Sequence, residues 1–158
     1  GLGGCVALAG RRLVRKTMQQ EPWQISTEIE VTIPFHDVDM MAVAWHGHYF
    51  RYIELARCAL LDLIDYNYPQ MEASGYLWPI IDTRMKYLAS LRFGQRVRVR
   101  ATLTEYQNRL KIDYLLSDAV SGTRTSKGYS IQVAVSKASG EMCLASPQVL
   151  LDKLGVSQ

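Results

Sequence analysis

Two aspartates and a histidine lie close together in residues 35–57, which read FHDVDMMAVAWHGHYFRYIELAR. Asp37 and Asp39 are two apart, and His46 follows Asp39 by seven residues, at the start of a run with helical spacing. The first N–H groups of a helix have no intrahelical acceptor and sit at the positive end of its dipole. That is a suitable place to stabilise an oxyanion. A carboxylate held nearby can attack an acyl carbon or activate a water. The residue types therefore point to acyl transfer. Aspartates in loops also commonly bond their own backbone, and a histidine near a helix start is often structural.

These groups need a scaffold. Residues 28–35 alternate Ile29, Val31 and Ile33 with Glu30 and Thr32, the period of a half-buried strand, and Pro34 ends it. Residues 36–47 read as a loop. From residue 48 to 66, Tyr49, Ile53, Ala56, Leu60 and Ile64 recur at helical spacing, with Cys58, Leu61 and Leu63 widening the apolar surface. Gly47 precedes this helix and the segment Asn67-Tyr68-Pro69 stops it. Further strands are expected over 78–89, 95–106, 110–116 and 129–135, with turns at Ser121-Gly122 and Ser139-Gly140. A last strand is expected over 141–145, extending toward 150. Short links favour an antiparallel sheet, and one long helix covers one of its faces. The other face and the sheet edge invite a second subunit.

Residues 1–27 read as an appendage, a disordered leader or an expression remnant, and residues 28–158 as a single domain. Arg11, Arg12, Arg15 and Lys16 against Glu21 give the first segment a charge of +3, the whole of the chain's net charge. The remainder carries 14 basic and 14 acidic side chains, which argues against nucleic-acid binding. No apolar run approaches the ~20 residues that span a bilayer. Cys5, Cys58 and Cys143 are scattered, which fits reduced thiols in the cytoplasm and neither disulfides nor a zinc site. No metal or cofactor is expected.

Phe35, Asp37, Asp39, Trp45, His46, Tyr49, Glu54, Ala56 and Arg57 stand in an order that resembles the signature of the 4-hydroxybenzoyl-CoA thioesterase family, including the acyl-CoA thioesterases associated with the Tol-Pal system. Residues 85–95 resemble a second block of that family, and the likeness extends over about residues 28–150. Three positions depart from it: Ala42 replaces a usual glycine, His48 an asparagine, and Ala89-Ser90 lacks a proline.

The resemblance implies an α+β hot-dog fold, an antiparallel sheet of about five or six strands wrapped around one long helix. It implies hydrolysis of an acyl-CoA or acyl-carrier-protein thioester by a homodimer or homotetramer whose sites form between subunits. Asp39 would be the nucleophile or general base, and the backbone N–H of His46 the oxyanion donor. Asp37 would shape the loop. Trp45, His48 and Tyr49 would line the substrate site, and Arg109 would meet the CoA nucleotide. The row Arg96, Arg98, Arg100 fits either phosphate contacts or a solvated strand face, and Met40 and Met41 suit an adaptable lining. A hot-dog hydratase or dehydratase and a non-catalytic acyl-binding protein are the alternative readings.

Overall fold

Strand β4 (Arg96–Glu105) shows how the core is made. Val97, Val99, Ala101 and Leu103 point inward and are buried, while Arg96, Arg98 and Arg100 face out. The computed structural model describes residue 21 and residues 23–156, with residue 46 described by its backbone alone. In it β4 lies between β1 (Ser26–Thr32) and β5 (Leu110–Asp118). The sheet continues through β6 (Arg124–Gln132) to β3 (Ile80–Tyr87), giving the order β1-β4-β5-β6-β3, every pair antiparallel. Two short strands, β2 (Tyr76–Leu77) and β7 (Val135–Ser136), pair apart from it.

Helix α1 (Tyr49–Leu63) packs on the inner face against β1 and β4. It buries Tyr49, Tyr52, Ile53, Ala56, Leu60 and Leu61, and Ile64 beyond its last turn is buried too. Removing each such side chain from water contributes roughly 1.5–3 kcal/mol. Cys58 and Leu61 widen this apolar stripe as their spacing suggests, but Leu63 is 63% exposed. A five-stranded antiparallel sheet wrapped around one long helix is the hot-dog fold.

The structure corrects the sequence reading at several boundaries. The folded body begins before residue 28: Trp23 and Ile25 pack on the core, and the Trp23 ring meets Tyr106 edge-on at 4.7 Å. The expected leader otherwise lies outside the described residues. Strand β6 starts five residues earlier than expected. Its Lys127 and Gly128 interrupt the apolar alternation that marks a strand in sequence.

The chain does stop α1 before Pro69, but a second helix, α2 (Tyr68–Ala73), begins at once. Asn67 caps it reciprocally: its side chain accepts from Tyr68 N–H at 2.8 Å, and its own N–H donates to Gln70 Oε1 at 3.0 Å. The strand expected over 141–150 is absent. Met142 makes a single bridge to Val135, and Pro147 precedes helix α3 (Gln148–Leu154), which buries Leu150 and Leu151. Adjacent buried leucines fit a helix stripe and contradict a strand's alternation.

Candidate active site

The loop between β1 and α1 is fastened by Asp37. One turn of 3₁₀ helix, Phe35–Asp37, buries its carboxylate to 1% exposure. Oδ2 accepts from the Arg51 guanidinium and from Tyr52 Oη at 2.5 Å, and the backbone oxygen accepts Trp45 N–H at 3.2 Å. Burial pushes the carboxyl pKa up, but the Arg51 and Tyr52 hydrogen bonds, with the charges of Arg51 and His48, hold it below the ordinary value. The same burial and the neighbouring anion push the Tyr52 phenol well up.

Asp39 is the opposite case, an exposed carboxylate on a tight turn. Its N–H donates to Val43 O at 3.0 Å and its carbonyl accepts from Ala42 N–H at 2.9 Å. Its Oδ1 accepts Met41 N–H at 2.8 Å, fixing one carboxylate oxygen. Ala42 closes this turn at φ +60°, the left-handed region, which accounts for the glycine usual at this place in the resembled family.

Asp39 opens on a pocket of about 340 Å³. Trp45 comes from the loop, Tyr49 from α1, and Tyr87 to Ser90 from the end of β3. The walls hold one another: Ala44 N–H donates to Leu91 O at 2.6 Å, Leu91 N–H donates to Tyr49 Oη at 3.2 Å, and the Tyr49 and Tyr87 rings meet at 4.9 Å. Tyr49 is thus a buried wall whose hydroxyl is engaged, while Trp45 stays 53% exposed. The 3₁₀ turn His46–His48 runs straight into α1. His48 N–H is already used by Trp45 O at 3.0 Å, so the amides of His46 and Gly47 are those that open the helix. A Cβ on Gly47 would lie 2.3 Å from the Trp45 ring, so any larger residue there would push that half-exposed ring aside.

Of the expected site residues, Asp39, Trp45 and Tyr49 share one pocket. His46 is not among the described residues lining it; its backbone opens the 3₁₀ turn ahead of α1. His48 stands against Trp45, rings edge-on at 5.4 Å, with Nδ1 3.9 Å from Asp37 Oδ1. Arg109 does not line the pocket. It sits just before β5, paired with Glu105 at 2.6 Å. Arg96, Arg98 and Arg100 pair with Glu28 and Glu30 across β1. Met40 and Met41 are exposed on the turn and absent from the pocket wall.

Two features escaped the sequence. The Asp37–Arg51–Tyr52 clamp joins residues 14 and 15 apart, a contact that follows only once α1 docks on the loop. A second chamber, about 670 Å³, lies between α1, α2 and the start of β3, lined by Arg57, Leu61, Met71, Trp78 and Ile80 among others. Among the described residues no three side chains cluster to hold a metal ion, and no helix is long and apolar enough to cross a membrane.

The five-stranded antiparallel sheet and the helix packed on it define a hot-dog protein. The profile of the thioesterase-like superfamily matches residues 33–153, and the chain belongs to that superfamily. Candidate acyl-CoA thioesterase YneP of Bacillus subtilis is 23% identical over 120 residues, which cover 73% of this chain and 77% of that protein. The fold matches that of a 1,4-dihydroxy-2-naphthoyl-CoA thioesterase from Synechocystis at a TM-score of 0.74, with 17% identity, covering 83% of this chain and 96% of that one. It also matches a 4-hydroxybenzoyl-CoA thioesterase mutant bound to 4-hydroxybenzoyl-CoA, at a TM-score of 0.67 and 14% identity, covering 82% and 98%.

Proposed function

We propose that this protein hydrolyses an acyl-CoA, or the equivalent acyl-carrier-protein thioester, to a free acid and a thiol, with Asp39 as the acting carboxylate. The observation that carries this reading is the exposed Asp39, fixed through Oδ1, facing a pocket bounded by the first turn of α1. As a nucleophile, Asp39 Oδ2 attacks the thioester carbon and expels the thiolate, leaving an anhydride that water cleaves. As a base, it takes a proton from the water that attacks. In both cases negative charge grows on the carbonyl oxygen, where the His46 N–H donates to it. Trp45, His48 and Tyr49 border the acyl end, and Arg109, outside the pocket, is assigned to the phosphate-bearing end.

The site is completed by a second copy of the chain. Strand β3 is a sheet edge carrying Ile80, Ile81 and Tyr87, with Leu88 just after it, each more than 40% exposed. The Asp39 pocket lies at the end of β3 and the larger chamber at its start, the two ends of an eight-residue strand that spans roughly 23 Å. Antiparallel pairing of two β3 edges brings the chamber of one protomer to the Asp39 pocket of the other.

The test is thiol release from aryl-, short- and long-chain acyl-CoAs. The wild type turns over at least one of them, and Asp39→Asn loses about a thousandfold or more in kcat with its fold intact. An Asp39→Asn protein hydrolysing every such thioester at the wild-type rate overturns the assignment. Loss of enoyl-CoA absorbance without thiol release favours the hydratase reading.

A further inference from the structure

The mechanism above makes no use of the best-buried charge near the site. Asp37 has one carboxylate oxygen fully engaged, by Arg51 and Tyr52. The other, Oδ1, is shielded from solvent and has no hydrogen-bond partner among the described residues. An orphaned buried carboxylate oxygen is costly and calls for a donor. Two are near: His36 Nε2 at 3.5 Å and His48 Nδ1 at 3.9 Å. The His36 side chain is 75% exposed, so water competes for any bond it makes. That of His48 is 29% exposed, and its ring is braced by Trp45 on the pocket wall.

Asp37 holds the Asp39 loop to α1 through its carboxylate and braces the loop itself through its backbone. Its carboxylate reaches Arg51 and Tyr52 on the first turn, its carbonyl oxygen takes the Trp45 amide, and its free oxygen faces His48 at the helix cap. These contacts set the height of the loop relative to the helix amides. The buried anion also opposes an oxyanion forming nearby unless it is neutralised, which Arg51 does in part. We propose that Asp37 is a positioning residue for the hydrolysis assigned to Asp39, and that His48 completes its shell by donating to Oδ1. The proposal rests on the Asp39 reading.

The titratable and charged groups around that oxygen are His36 on the loop and His48, Arg51 and Tyr52 on the helix side.

Asp37→Asn, Tyr52→Phe, His48→Ala and His48→Asn test this, each read by kcat, KM and thermal midpoint. Asp37→Asn should lower kcat about 10- to 100-fold with KM within about threefold, because misplacement of the reacting groups costs turnover and spares ground-state binding. Tyr52→Phe, which removes one hydrogen bond, should give a smaller loss of the same kind and decides the matter if Asp37→Asn does not fold. His48→Ala, which removes the proposed donor to Oδ1, should lower kcat while leaving KM within about threefold, and His48→Asn, which can still donate, should lose less. Unchanged kcat in both Asp37→Asn and Tyr52→Phe, a loss confined to KM, or a His48→Ala protein with wild-type kcat overturns the proposal. Asp39→Asn run alongside separates the two readings: if it is inactive while Asp37→Asn is normal, only the positioning role falls, and if it is active, the catalytic reading falls.

Discussion

Within three residues of the reactive turn, one alanine carries a cost that its place in the chain explains. Ala42 sits at φ +60°, where a Cβ crowds the following backbone. The turn it closes holds Asp39 by Val43, Ala42 and Met41 together, so the strain is borne by the segment that orients the carboxylate. Ala42→Gly should relieve it and stabilise the protein by about 0.5–1 kcal/mol, an estimate lowered by glycine's greater freedom in the unfolded chain. Thermal melts of the two proteins measure this, and a clear fall in midpoint on substitution contradicts it. At this scale the sequence sets Asp39, Trp45 and Tyr49 within one short stretch, and the structure brings those three to one pocket. The partners of Asp37 were hidden because Arg51 and Tyr52 are remote in sequence, and nothing in a helix period says which exposed face meets a loop.

At the scale of elements, strands and turns follow from alternation and punctuation, and the errors fall where neither is strong. β4 and β5 alternate cleanly and were anticipated within two residues. The strand expected over 141–145 ran toward residue 150 and so into the start of α3, because seven residues are too few to display a clear helical period. One turn carries a charge whose effect can be followed by pH. Asp118 accepts backbone bonds from Val120 at 2.9 Å and Ser121 at 2.7 Å, and from the Gln95 side chain at 2.9 Å, tying the β5–β6 turn to the segment before β4. Bonds from Ser121, Gln95 and Val120 to the charged form lower its pKa from 3.8 to about 2. A depressed carboxylate contributes stability that is present above its unfolded pKa and lost as pH falls through the folded one. Asp118→Ala should therefore melt earlier than wild type at neutral pH, and the gap should close between about pH 4 and about pH 2. A gap independent of pH across that window points to packing instead.

For the whole molecule, the question is why one edge of the sheet is left so apolar. β1, at the opposite edge, alternates half-buried and exposed residues and pairs Glu28 and Glu30 with arginines of β4, a charged surface suited to water. β3 has almost no buried position, yet it carries isoleucines at 80 and 81 and a tyrosine at 87. An edge of this kind is prone to unspecific pairing unless a defined partner covers it. In the proposed assembly a second copy covers it and at the same time encloses the thioester between two subunits. Ile81 is 57% exposed and lies at the register shift between Ile80 and Asp82, so a charge there disturbs the edge without entering the core. Ile81→Lys should yield a folded protein of half the wild-type mass by light scattering, with turnover reduced at least about tenfold at dilute concentrations, because each pocket loses the wall its partner supplies. A variant that is monomeric and fully active would place the complete site within one chain, and a wild type that is itself monomeric would leave the apolar edge for another partner.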